Sequence, residues 1–433
     1  MLYISPLRAL AFDIEKNLRA PLKGIELAAE RLGEAFVAPE VGMRTGDTAS
    51  NDRQKLVRRP PDLLITTPES LYLMLTSRAA ETLQGVETVI IDEIHAMATT
   101  KRGAHLALTL ERLEEVTDTA PQRIGLSATQ RPLSEIAEFL GGYATPGSDG
   151  QAGTKRPVQI IDAGIRKDME IEVVIPVEDL GAIGKPATGT EVGFDMEFGT
   201  AGSGMGDSRT SIWPSIYPEI LTRILANRTT IIFCNARRAA ERLAAKLNEL
   251  AVDEGVPGIV DLETGAMVDE LVKAHHGSLA REQRVVIEDQ LKRGDLRAIV
   301  ATSSLELGID MGAVDLVIQV ESPGAVSRGM QRIGRAGHQV GEASRGSIFP
   351  KHRGDLLETA VVARRMLDGH IESSRFLRNP LDVLAQQIVA HVAAVEECSV
   401  AELAAIVRRC ANFAEISADL LATVLDLLSG RYP

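Results

Sequence analysis

Val89-Ile90-Ile91-Asp92-Glu93-Ile94-His95 is the stretch that decides the fold. Its apolar first half reads as a strand buried on both faces, the pattern of a parallel sheet covered by helices. Adjacent carboxylates at the end of such a strand suit a Mg²⁺–nucleotide site. One holds the metal, commonly through water, and the next positions or deprotonates an attacking water. Asp92 and Glu93 are therefore the candidate metal-binding and catalytic pair, with Asp92 on the metal and Glu93 on the water. The plain alternative is an N-cap pair on a strand-to-helix turn, and only the motifs downstream separate the two.

Outward from that strand the same grammar repeats. Residues 2–6 read as a strand, followed by a helix through Leu7, Leu10, Ala11, Ile14 and Leu18. Residues 63–68 form a strand ended by proline, 86–91 a third and 123–127 a fourth, with a helix over 104–113 between them. Short apolar strands alternating with helices indicate a doubly wound parallel sheet, which binds ligands at the carboxyl ends of its strands. A second series places strands over 229–233, 296–301 and 316–320 and a helix over 237–250. The stretch between the series reads as a linker, an edge strand over 171–175 and a glycine-rich insertion. Beyond Asn379-Pro380 come three helices, the second capped by Ser399 and the third by Ser417, which suit the start of a winged-helix domain. The expected division is 1–145 for a first α/β domain and 146–215 for linker and insertion. A second α/β domain covers 216–370, with its edge strand from about 155, and helical residues 371–433 complete the chain.

Composition narrows the partners. A net charge of −13 argues against a surface that coats nucleic acid broadly, yet it leaves room for a cleft lined by a few arginines, threonines and backbone amides. Hydrophobic residues at 45% with only 3% aromatics make aliphatic cores. Cys234, Cys398 and Cys410 show no paired spacing, so neither a disulfide framework nor a zinc site is expected. No apolar run approaches the roughly 20 residues that cross a bilayer, so no membrane partner is expected, and the cytoplasm is the expected compartment.

Two further motifs follow Asp92-Glu93 in order: Leu126-Ser127-Ala128-Thr129, then Gln331-Arg332-Ile333-Gly334-Arg335-Ala336-Gly337-His338. Ser127 and Thr129 offer hydroxyls at a strand end, and with His95 they are candidates for coupling a nucleotide site to a nucleic-acid site. Arg332, Arg335 and His338 recur every three residues, with glycines between that allow close approach. Arg335 is the candidate arginine finger, a guanidinium that stabilises charge on a γ-phosphate. Arg332, His338, Gly308 and Asp310 are candidate nucleotide contacts. Arg8, Thr45, Gly46, Thr67, Glu69, His276, Gly277 and Thr302 are candidates for gripping a phosphate backbone, which presents the same group at every nucleotide. No G-x-x-x-x-G-K-[ST] loop occurs in the 433 residues. Gly181 to Pro186 has the wrong spacing, and Gly199 to Gly206 lacks a lysine.

With Ser5-Pro6-Leu7-Arg8, Thr66-Thr67-Pro68-Glu69-Ser70, Ile232-Phe233-Cys234-Asn235 and Ala301-Thr302-Ser303-Ser304 added in order, the chain resembles a superfamily-two helicase. More narrowly it is similar to the large helicase-related (Lhr) family, over essentially its whole length. The resemblance implies two RecA-like domains with ATP between them, Mg²⁺, a following winged-helix domain, 3′-to-5′ movement on single-stranded DNA or partial duplex, and a role in DNA repair. An RNA helicase of the same superfamily and an inactive nucleic-acid-binding fragment stay open. The resemblance also implies a phosphate loop upstream of Ser5-Pro6. This chain is therefore expected to be truncated at both ends and to hydrolyse ATP barely or not at all by itself. His338 stands where related DEAD-box helicases place a second arginine, so only Arg335 carries over firmly as a finger.

Overall fold

The computed structural model describes residues 1–128, 130–162, 168–177, 212–257, 259, 269–306, 308, 312–337 and 342–431. Thr129, Asp310, His338 and the glycine-rich insertion lie outside the described residues. The chain divides into two compact units, Met1–Ala163 with Ser373–Pro433, and Gly164–Glu372.

Five strands form the sheet of the first unit: β1 (Leu2–Ile4), β2 (Val41–Arg44), β3 (Leu63–Thr66), β4 (Thr88–Ile91) and β5 (Gln122–Gly125). Their order is β2-β3-β1-β4-β5, and every pair is parallel. Leu2, Ile4, Ile65, Val89 and Ile91 are buried, as apolar runs covered on both faces require. The connections carry α1 (Arg8–Leu32), α2 (Ser50–Arg58), α3 (Pro68–Leu75), α4 (Ile94–Ala98), α5 (Lys101–Glu114) and α6 (Leu133–Gly141). Pro68 ends β3 and also opens α3, where its missing N–H costs nothing. The turn into α5 is tight. Thr100 Oγ1 accepts from the Gly103 N–H at 3.2 Å, and a Cβ on Gly103 would lie 2.2 Å from the Met97 carbonyl oxygen.

The second unit holds β6 (Met169–Val173), β7 (Thr230–Phe233), β8 (Val272–His275), β9 (Ala298–Ala301), β10 (Leu316–Val320) and β11 (Ser344–Phe349). This sheet is also parallel throughout, in the order β6-β11-β10-β7-β9-β8. Its edge strand β6 lies two residues earlier than the sequence pattern places it. Around the sheet run α7 (Trp213–Ala226), α8 (Arg237–Asp253), α9 (Arg281–Arg293), α10 (Val326–Ile333) and α11 (Arg353–Asp368).

After residue 372 the chain rejoins the first unit through α12 (Leu381–Val395), α13 (Val400–Arg409) and α14 (Ala418–Leu428). Ser399 caps α13 in a capping box with Glu402, and Ser417 caps α14 by accepting from the Leu420 N–H. These helices share one apolar cluster with α5, joining Leu384, Ile388, Leu403 and Val407 to Leu106 and Leu110. Polar bonds fix the register: Arg112 Nη1 donates to Gln387 Oε1 at 2.8 Å, and Gln387 Nε2 donates to Thr109 Oγ1 at 2.9 Å. No described helix is long and apolar enough to cross a membrane.

Candidate functional site

In the first unit, Asp92 and Glu93 sit where β4 ends. The Asp92 N–H still donates to the Ile4 carbonyl, so the carboxylate is held by the sheet itself. Glu93 takes a left-handed backbone (φ 45°) at the N-cap position of α4, where its side chain makes no capping bond; that conformation costs a non-glycine residue about 1 kcal/mol or more. Burial, then the neighbouring Glu93 charge, raises the Asp92 carboxyl above its ordinary range, against bonds from Tyr3 and the Glu93 amide. Tyr3 belongs here because β1 pairs with β4 in the register Tyr3↔Ile90, which puts Tyr3 on the face shared by Ile90 and Asp92. Burial and the Asp92 charge together push the Tyr3 phenol upward.

His95 is buried one turn further on, and its Nδ1 accepts from the Ala128 N–H at 3.2 Å. Glu93 Oε2 approaches the same nitrogen at 3.4 Å. The same ring nitrogen therefore faces both a backbone amide and a carboxylate, which places His95 between Glu93 and the Ala128 backbone. The first two motifs are thus joined through His95 and the Ala128 backbone. The Ser127 hydroxyl turns to the Ala128 carbonyl at 2.9 Å.

A second group gathers where β2 and β3 end. Arg8 Nη1 reaches Asp47 at 2.5 Å, and its guanidinium lies against Gly46, where a Cβ would come within 2.6 Å of Nη2. Thr45 is buried; its N–H donates to Thr48 Oγ1 at 2.9 Å. Thr67 Oγ1 donates to Ser70 Oγ at 3.1 Å. Glu69 accepts from Arg102 Nε and Nη2 at 2.5 and 2.9 Å, so its charge is matched locally by an arginine from α5.

The second unit carries the rest. His276 is buried, with Nε2 on Glu241 at 2.8 Å and Nδ1 accepting from the Ser278 N–H at 3.3 Å, while Ser278 Oγ accepts from Arg237 at 2.8 Å. The Thr302 N–H donates to the His275 carbonyl at 3.3 Å, which sets Thr302 beside His276 and Gly277 at the ends of adjacent strands β9 and β8. Elsewhere in this unit Arg332 is buried. It donates to Gln319 at 2.9 Å, Glu306 at 3.1 Å and Asn235 at 3.2 Å, with its guanidinium 5.2 Å from the Phe233 ring centre. Burial lowers its pKa against the pull of Glu306. Arg335 is half-buried and donates to the Glu306 carbonyl at 3.0 Å. Gly308 is exposed just beyond that loop.

The Asp92–Glu93 donor set fits a nucleotide-bound Mg²⁺. A bound cation would offset both the burial and the Glu93 repulsion that raise Asp92. Among the described residues no cluster of three or more His, Cys, Asp or Glu side chains could hold a metal, so phosphate and water would complete the shell.

Comparison with known proteins bears on the whole chain. Residues 1–138 match the DEAD/DEAH box helicase model, 216–339 the helicase conserved C-terminal domain, and 364–433 the winged-helix domain of large helicase-related proteins. The chain is 49% identical, over its full length, to the Lhr helicase/uracil glycosylase of Escherichia coli (strain K12), of which it covers 28%. It is 38% identical to the ATP-dependent helicase Lhr-Core of Saccharolobus solfataricus, again over its full length and 44% of that protein. A solved structure of the Mycobacterium smegmatis helicase Lhr bound to ssDNA and AMP-PNP superposes with a TM-score of 0.82 at 49% identity, over 98% of this chain and 49% of that one. The chain belongs to the large helicase-related family. It spans less than half the length of these curated Lhr relatives.

Four residues of this Lhr chain stand in the candidate sites without a role that the sequence alone assigns them. Tyr3 needs the β1–β4 register, and Glu306 needs the fold that brings it to Arg332 and Arg335. Arg102 needs the α3–α5 packing that brings it to Glu69. Arg237 had a signal as the first helical residue after Asn235, two residues beyond a motif.

Proposed function

We propose that this chain is the motor segment of an ATP-dependent helicase that moves 3′ to 5′ on single-stranded DNA in DNA repair. The observation that carries the reading is the Asp92–Glu93–His95–Ala128 arrangement in the first unit, in a family whose solved member binds ssDNA and AMP-PNP. Bound Mg²⁺–ATP supplies an electrophilic phosphorus and a leaving group. The chain's own groups do the rest. Asp92, anchored by the β1–β4 ladder and Tyr3, would hold the metal side. Glu93, aimed by its left-handed backbone, would take a proton from water. His95 passes any shift of the Asp92–Glu93 turn to the Ser127–Ala128 backbone. Arg335 would meet developing phosphate charge, and Glu306 fixes the helix end from which it projects.

Arg8, Thr45-Gly46, Thr67, His276-Gly277 and Thr302 would hold the strand through phosphate and backbone amides, so stepping needs no base reading. Such a surface is compatible with a protein of net charge −13 because each unit offers few charged contacts. The test uses the full-length protein and duplexes tailed on either the 3′ or the 5′ side, in DNA and in RNA. ATP-dependent separation of 3′-tailed DNA is expected. Separation of 5′-tailed substrates only, or equal activity with an RNA loading strand, overturns the polarity or the DNA preference.

A further inference from the structure

Behind His276-Gly277 and Thr302 lies a buried relay of which only Ser304 belongs to a motif. His275, the last residue of β8, is fully shielded from solvent. Its Nε2 meets Glu288 Oε1 of α9 at 2.8 Å, and its Nδ1 meets Ser304 Oγ at 2.9 Å. Its carbonyl oxygen accepts from the Ser304 hydroxyl at 3.0 Å and from the Thr302 N–H at 3.3 Å. One residue thereby ties together β8, the segment after β9, and α9.

Serine, imidazole and carboxylate in line also describe a hydrolase triad. Here the Ser304 oxygen lies within hydrogen-bond distance of both Nδ1 and the backbone carbonyl of the same histidine, and the imidazole has no exposed face, so the trio is a brace and not a nucleophile. The brace has a reason. β8 is the edge of its sheet and, among the described strands, pairs only with β9, so its end needs a second anchor. Glu288 supplies it.

We propose that His275, braced by Glu288 and Ser304, is a positioning residue for strand binding. It sets the spacing between His276-Gly277 and Thr302. The proposal rests on the strand-binding role proposed for those segments. Neighbouring phosphates on one strand are held at a limited range of separations, so two gripping segments must keep a set distance. An imidazole occupied at both nitrogens, between groups on two other elements, is a spacer of fixed length. Removing it displaces backbone donors without removing any charge that meets DNA. Affinity should therefore fall while the salt dependence, which counts neutralised phosphates, stays the same.

The experiment measures binding of a labelled oligo-dT strand by anisotropy over a series of salt concentrations, at a temperature where circular dichroism shows each variant folded. His275→Asn and Glu288→Ala are expected to bind about tenfold more weakly, with an unchanged slope of log Kd against log salt. Glu288→Gln, which keeps an acceptor for Nε2–H, should restore wild-type binding, and Ser304→Thr should outperform Ser304→Ala. Ser304→Ala leaves the His275–Glu288 pair intact and serves if the other variants do not fold. Wild-type affinity in the folded His275→Asn and Glu288→Ala variants, or in Ser304→Ala where it stands in for them, overturns the proposal. So does a slope reduced by about one charge, which would make His275 or its neighbours direct phosphate contacts. Absence of salt-dependent binding by the wild-type protein instead overturns the strand-binding reading itself.

Discussion

Burial beside Glu93 pushes the Asp92 carboxyl above the usual carboxylate range, and the bonds from Tyr3 and the Glu93 amide offset this only in part. The folded state therefore holds a proton on Asp92 more tightly than the unfolded chain does. At a pH above the raised pKa the ionised group opposes folding. As pH falls through the raised pKa toward the ordinary carboxylate range, protonation removes that opposition. Asp92→Asn is expected to raise the thermal midpoint at pH 7 without nucleotide by about 1–4 °C, and to give a smaller gain near pH 4. Differential scanning calorimetry at the two pH values checks this; a lower midpoint at pH 7 contradicts it. With Asp92 on the metal side, as proposed, the same substitution should also weaken Mg²⁺-dependent nucleotide binding.

Among the elements, α5 is the one on which the first unit turns. Its Glu111 is 1% exposed, receives Arg123 at 2.7 Å and Arg156 at 3.0 Å, and has Arg409 of α13 at 3.5 Å. Glu111→Ala would take a shared, fully buried carboxylate from three part-buried guanidinium groups that keep Glu114 or Glu115, a change that costs about 2–4 kcal/mol. Urea denaturation of the variant should show that loss. A cost under about 1 kcal/mol, the value of an exposed pair, would mean the network is open to water. Element by element, the sequence was readable where burial imposes a pattern. β3, β4, β7 and β10 are apolar runs, and α12 to α14 show helical spacing with Ser399 and Ser417 at their caps. It was not readable at β2 and β8, edge strands whose Val-Gly-Met-Arg and Val-Lys-Ala-His carry polar residues because one side has no partner among the described strands. β11 hides for another reason. It is interior, but only its last two residues, Ile348 and Phe349, are large and apolar, and Gly346 lets α10 close in: a Cβ there would lie 2.6 Å from Ile333 Cδ1. The site follows the same division. Motif residues on strand ends were legible, whereas Tyr3, Arg102, Glu306 and the His275 brace depend on register and packing between segments far apart in the sequence.

For the whole molecule, the chain leaves the first unit, builds the second, and returns at Ser373 to complete the first. Phe376 then enters the first core, its ring 6.3 Å from that of Phe139. The helical segment matched by the Lhr winged-helix model is thus continuous with the core that supports Asp92 and Glu93. As proposed, these two carboxylates serve ATP hydrolysis that a DNA strand stimulates. That role is tested most directly by phosphate release from ATP by the full-length protein, with and without single-stranded DNA, in wild type and Glu93→Gln. Hydrolysis that rises with DNA in the wild type and falls at least about a hundredfold in Glu93→Gln, with DNA affinity unchanged, is the expected result. Hydrolysis by Glu93→Gln at the wild-type rate would contradict it.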